Sequence, residues 1–333
     1  MFKKFCFSAL AVMLLAMTSQ YASAQCGGCD DELDCGGCGC AKKSCLRVEG
    51  WANAGIMANQ YGNGDNAHHG FLYNGTSFQA NQYAIVLGKD VGTKGLDWGF
   101  NFQLVGGADA AATQAYGDET WDFDSSDRLY EWAMPELNAT IAYNRLSVKV
   151  GHFFGLVGYE VFNSPGNFFY SHSNTFAYEP FTHTGILATF AASDKLSFSA
   201  GWTYGSDTGF NLDAGGNAFL GSLTYNISDN LSLTYALAAG DQPSDAAFWS
   251  PGANYASHSI VLTAQLTERL QYVLQTDLIN IDNANRTLWG ETSGINQYLF
   301  YTLTDKLSVG TRFEWMHLTD GVNPDGSVAN VKD

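Results

Sequence analysis

The sequence predicts an all-β protein, an antiparallel transmembrane β-barrel. Three observations point there. Alternating strands of about ten residues recur along the chain, where globular strands average about five or six and a tilted strand crossing hydrocarbon needs about ten. Tight polar turns alternate with long loops, and aromatic residues gather at strand ends, as in barrels with interfacial girdles. In lipid, every backbone polar group must be paired internally, and a closed sheet achieves this without an edge.

Composition removes the competing classes. The 333 residues are 46% hydrophobic, 14% aromatic and only 15% charged, with 36 Gly and 6 Pro. A mean hydropathy of −0.11 is too low for a bundle of apolar membrane helices. The apolar content is enough to bury a core, which argues against disorder. Net charge −17 repels phosphate, so no nucleic-acid partner is expected.

Residues 1–24 have the layout of a secretory signal peptide. Lys3 and Lys4 form the basic start, Phe5 to Met17 the apolar stretch, and Ala22-Ser23-Ala24 the cleavage site. The mature chain would begin at Gln25 with 14 basic and 33 acidic residues, net −19. Residues 25–46 form a Cys-rich periplasmic segment with Cys26, Cys29, Cys35, Cys38, Cys40 and Cys45. Export to an oxidising compartment favours disulfides among them, and sequence alone leaves their connectivity open. Its two C-G-G-C units also suit zinc or redox chemistry, but the pairs lie closer together than in a zinc ribbon.

Residues 47–333 carry the barrel pattern. Short polar turns precede a Leu that opens each alternating strand: Asn144-Arg145-Leu146, Ser193-Asp194-Lys195-Leu196, Ser228-Asp229-Asn230-Leu231, Thr267-Glu268-Arg269-Leu270 and Thr304-Asp305-Lys306-Leu307. After Lys195, Leu196, Phe198, Ala200, Trp202 and Tyr204 share one face, and Ser197, Ser199, Gly201 and Thr203 share the other. Strands are predicted at 47–58, 78–92, 96–107, 131–143, 146–155, 183–192, 195–205, 217–227, 231–240, 256–267, 269–281, 293–303 and 306–318. These are thirteen strands, followed by a polar tail, Thr319 to Asp333. Bacterial barrels are normally even, so a complete ring of about 14–16 strands is expected, with C-terminal strands missing from this sequence or one assignment wrong. A ring of that size leaves a water-filled lumen.

The stretch 146–190 contains Gly151-His152-Phe153, Gly158-Tyr159-Glu160, Asn163-Ser164-Pro165-Gly166-Asn167, Phe169-Tyr170-Ser171, Glu179-Pro180-Phe181 and Thr182-His183-Thr184-Gly185. It resembles the OmpL-like β-barrel porins common in planctomycete bacteria. The resemblance implies a pore in the cell outer membrane and supplies no catalytic residues.

Within this stretch, the aromatic loop 156–182 is expected to fold into the lumen and narrow it, the alternative being an exposed outer loop. Candidate constriction residues are Tyr159, Glu160, Asn163, Pro165, Asn167, Tyr170, His172 and Glu179. Candidate lumen-facing charges are Lys149, Asp277, Arg312 and Glu314. His152, His172 and His183 flank the loop, but porin walls carry polar residues for solvation alone, so no metal is assigned. The acidic stretch 108–131, with Asp109, Asp118, Glu119, Asp122, Asp124, Asp127 and Glu131, is expected to be a solvated loop that enriches cations at the mouth.

No nucleophile elbow or phosphate-binding loop occurs, so neither enzyme activity nor a cofactor is expected. The function expected is passive diffusion of small hydrophilic solutes or ions, with cations preferred. A non-conducting barrel serving as surface scaffold or adhesin is the rival reading. The expected partners are outer-membrane lipid and the permeating solutes. Homo-oligomerisation is left open, because no subunit interface is legible.

Overall fold

A computed structural model of the chain describes residues 20–25, 46–57, 77–115, 130–210, 216–242, 253–282 and 288–320. Residues 26–45, with all six cysteines of the Cys-rich segment, and the acidic residues 118–127 lie outside them. The described residues form one antiparallel sheet in sequence order. Its strands are β1 (Gln20–Gln25), β2 (Arg47–Met57), β3 (Ser77–Lys89), β4 (Leu96–Gly107), β5 (Glu131–Tyr143), β6 (Leu146–Phe154), β7 (Thr182–Ala191), β8 (Leu196–Ser206), β9 (Asn217–Ser228), β10 (Leu231–Asp241), β11 (Asn254–Thr267), β12 (Leu270–Asp282), β13 (Leu288–Thr304) and β14 (Leu307–Asp320).

Each of the thirteen predicted strands corresponds to one of β2 to β14. Most ends agree within three residues; β13 begins five residues earlier than expected. The fourteenth strand is β1, which pairs with β2 and straddles the predicted signal-peptide cleavage site. Its Ala-Ser-Ala core has the composition of a processing signal, which masks its weak strand character. Among the described residues β1 and β14 are not paired with each other, so the sheet is open at that seam.

The polar turns have a local physical cause. The Ser193 hydroxyl accepts the Leu196 N–H at 3.0 Å, and the Thr267 hydroxyl accepts the Leu270 N–H at 3.1 Å. A Ser or Thr three residues before the Leu thus closes the turn with its own side chain. Asn144 takes the left-handed conformation (φ 53°) in the two-residue turn between β5 and β6, and its side-chain oxygen accepts the Gly95 N–H of the neighbouring turn at 3.0 Å.

The two faces of the sheet differ in kind. Ile85, Trp98, Ile141, Val150, Ile186, Phe198, Trp202, Leu223, Ile260, Phe313 and Trp315 stand on the outer face and are exposed. On the opposite face Gln82, Gln103, Thr203, Gln275, Asp277, Asn296 and Tyr298 are buried. A water-soluble sheet packs its apolar face inward. Here the apolar face is the exposed one and the polar face is covered.

Candidate functional site

The cover is the β6–β7 connection. Residues 155–181 leave β6, return to β7, and are closed at their base by the Gly155 N–H to Phe181 C=O bond at 2.8 Å. The Asp207 carboxylate reinforces that base by accepting the N–H groups of Phe181 (2.9 Å) and Thr182 (2.8 Å). Burial raises the Asp207 carboxyl to about 7, against the lowering effect of those two N–H groups.

From this base the loop reaches both ends of the sheet. Toward β3 and β4, Gln82 donates to the Phe162 carbonyl at 2.8 Å and accepts the Ser164 N–H at 3.0 Å. Asn163 and Gln103 exchange amide bonds at 2.7 and 3.2 Å, and the Tyr170 hydroxyl donates to Asn81 at 2.5 Å. Toward β12 to β14, the Tyr159 N–H donates to Gln275 at 2.9 Å, Asn296 donates to Thr175 at 2.5 Å, and the Asn174 N–H donates to Glu314 at 2.7 Å. Gly294 on β13 makes this approach possible: a Cβ there would lie 2.1 Å from the Thr175 methyl. Buried amides and backbone groups on both sides are thus satisfied by each other instead of by water.

Glu160 is the charged node. It accepts from Arg312 at 3.1 Å, Tyr298 at 2.9 Å, the Ser173 N–H at 2.9 Å, and pairs with His172 at 3.1 Å. Burial alone would raise this carboxyl, but the His172 hydrogen bond and the Arg312 charge hold it below the usual carboxylate range. His172 in turn stacks on Phe176 with centroids 4.0 Å apart. Arg312 also donates to the carbonyls of Ser171 (2.6 Å) and His172 (2.8 Å), and to Glu314 beside it.

Glu179 occupies a different setting. Gln275 donates to it at 2.6 Å and to Asp277 at 2.7 Å, which brings two carboxyl groups onto one amide. Burial, and then the charge of Asp277, raise Glu179 well above the usual carboxylate range. Gly158 (φ 88°) gives the backbone room here, since a Cβ would sit 2.1 Å from a Glu179 oxygen.

Between the loop and the β2–β5 wall lies a cavity of ≈ 550 Å³. Its wall carries a hydrogen-bonded polar row: Arg47 donates to Glu49 at 3.1 Å and to Asn101 at 2.9 Å, and Asn101 donates to Glu136. Its other side is built from the loop, including Leu156, Val157, Phe162 and Phe181.

Seven of the eight candidate constriction residues lie at the loop–wall contact or the cavity lining. Tyr159, Asn163, Tyr170 and Glu179 bond wall residues directly; Glu160 does so with His172 beside it; Pro165 lines the cavity. Asn167 instead braces the loop on itself, accepting the Val161 N–H at 3.0 Å and donating to the Val161 carbonyl at 2.5 Å. Of the candidate wall charges, Arg312, Glu314 and Asp277 engage the loop or its Gln275 contact, whereas Lys149 lies over the Phe153 ring at 5.6 Å.

His152, His172 and His183 take separate places: His152 bonds Thr184 at 2.8 Å, His172 bonds Glu160, and His183 faces the Gly205 carbonyl at 3.2 Å. Asp109 departs from the expected solvated acidic loop. It is buried and accepts from Asn81 at 2.8 Å and Gln82 at 3.0 Å, because the chain turns inward directly after β4. Burial raises its carboxyl above the usual range. Sequence reasoning missed the receiving amides Asn81, Gln82, Gln103 and Asn296. Their signal was an uncharged amide on the polar face of an alternating strand, which solvation alone would also explain.

Comparison with known proteins places these features in context. The chain resembles OmpT, an outer membrane protein of Vibrio cholerae folded in vitro and seen in trimer form, at 9% identity and TM-score 0.39, over 77% of this chain and 88% of that one. It also resembles Salmonella typhi OmpF in complex with daunomycin, at 12% identity and TM-score 0.37, over 82% and 98%. A search of curated proteins returns no match. The family profile described as "Putative beta-barrel porin-2, OmpL-like" matches residues 45–332, and the chain belongs to that family of outer-membrane β-barrel porins.

Proposed function

We propose that the protein is a diffusion porin whose passage runs beside the 155–181 loop and favours cations. The observation that carries this reading is the bridging of the loop between β3–β4 and β12–β14, which leaves the cavity against the β2–β5 wall. In the cavity lining Glu49 is paired with Arg47 and Glu160 with Arg312, which leaves Glu136 with no cation partner among the described residues, so the fixed charge there favours cations. The exposed apolar face supports a bilayer as the surrounding medium, with acyl chains as its partner. Residues 1–24 would direct export, and the Cys-rich segment 25–46 would stay periplasmic.

The test is planar-bilayer recording. The wild type is expected to conduct with a cation-favouring reversal potential, and deletion of residues 162–178 is expected to raise conductance. Conductance unchanged by the deletion would reject the constriction. The density of loop–wall bonds also favours a second reading, a plugged barrel that serves as a surface scaffold. Absence of any channel from correctly folded protein would select it.

A further inference from the structure

We infer that the cavity beside the loop binds an organic ammonium ion that carries an apolar body. The inference rests on the porin reading for its role in transport, but not for the binding itself. It starts from the two unlike sides of the cavity. On the wall, Arg47 is engaged by Glu49 at 3.1 Å, by Asp90 at 3.7 Å and by the Asn101 amide oxygen at 2.9 Å. Its charge is therefore already spent on groups of its own wall. Glu136 closes the row. It accepts from Asn101, and among the described residues no cation lies within ion-pair distance of it. Lys149, on the neighbouring β6, and Arg47 act on Glu136 only through space. Of the remaining carboxylates in the lining, Glu160 is paired with Arg312 and bonded to His172, and Glu179 is buried, with Gln275 donating to it at 2.6 Å beside Asp277. Glu136 is thus the lining carboxylate that is partly exposed and has no cation paired with it among the described residues, and a cation bound beside it would favour its ionised form.

Opposite this row the loop offers apolar surface. Phe162 of the loop stacks on Phe154, the last residue of β6, with centroids 5.8 Å apart, and Leu156, Val157 and Phe181 of the loop line the same cavity. A volume of ≈ 550 Å³ falls in the range of about 300–1,000 Å³ typical of small-molecule sites. An ammonium group set against Glu136 supplies the missing charge, and an aromatic or aliphatic body set against Phe154 and Phe162 removes apolar surface from water. A simple inorganic cation would meet the first need only. An organic anion would meet the second only, and would face Glu136 as a like charge.

Phenethylammonium, tetramethylammonium and phenylacetate separate these terms. With the refolded full chain in detergent, titration calorimetry is expected to show saturable phenethylammonium binding at least ten-fold tighter than that of either comparison ion. Glu136→Gln is expected to weaken phenethylammonium at least ten-fold. Phe162→Ala is expected to weaken phenethylammonium while leaving tetramethylammonium unaffected, which keeps the site testable if the first variant fails to fold. In bilayers, phenethylammonium is expected to block potassium current over the same concentration range. Equal affinity for all three ions, or binding indifferent to both substitutions, overturns the inference. Selective binding without any channel keeps the site and rejects the porin reading. A conducting channel without selective binding does the reverse.

Discussion

Arg312, on β14, donates to Glu160, in the β6–β7 connection, at 3.1 Å and across 152 positions of sequence. Both side chains are nearly buried, at 11% and 6% exposure. Removing one partner strands the other charge, which costs about 3–5 kcal/mol in comparable buried pairs. Arg312→Met is therefore expected to free this side of the loop, raise single-channel conductance and add open-channel noise. Recordings identical to wild type would show that the pair does not hold the loop.

A second prediction uses the space that glycine leaves. At Gly294 any side chain meets the Thr175 methyl within 2.1 Å. Gly294→Val is expected to push the Thr175 turn off β13 and break the Asn296–Thr175 bond, with a loss of about 1–3 kcal/mol from overpacking. Urea unfolding from liposomes measures the loss, and protease cleavage within 167–178 reports the displaced turn. A variant as stable and as resistant as wild type would contradict the close packing.

A third concerns pH. The Asp207 carboxyl sits at about 7 in the folded chain, against 3.8 as the ordinary value. Between these two values the folded state holds a proton that the unfolded chain has released. Stability contributed here is therefore present below about pH 4, falls as pH rises toward 7, and is level above that. Asp207→Asn keeps an oxygen for the Phe181 and Thr182 N–H groups but does not titrate. It is expected to flatten the unfolding profile between pH 4 and 7. An equally steep profile in the variant would assign the slope to another group.

A fourth tests the outer face. Ile186 stands mid-strand on β7 and is 49% exposed. If that face meets hydrocarbon, Ile186→Arg costs about 2–4 kcal/mol of folding free energy in liposomes. In a purely aqueous setting an exposed Ile→Arg change is close to neutral. A loss below about 0.5 kcal/mol would count against the lipid-facing assignment.

The sequence by itself determined thirteen of the fourteen described strands and their two faces. Each of these follows from local chemistry: a period of two in side-chain polarity, and a Ser or Thr that closes the turn three residues before Leu196 or Leu270. It also marked the 156–182 loop, because a long aromatic segment with Pro and Gly stands out from the repeat. Tertiary structure decided which wall residues the loop meets. Gln82, Gln103, Gln275, Asn296 and Arg312 come together only when distant strands curve around the same insertion. An amide on a polar strand face looks the same whether it will bond water or a loop backbone. The burial of Asp109 was hidden for the same reason: a carboxylate's charge is written in the sequence, whereas its solvent is set by what the fold places over it.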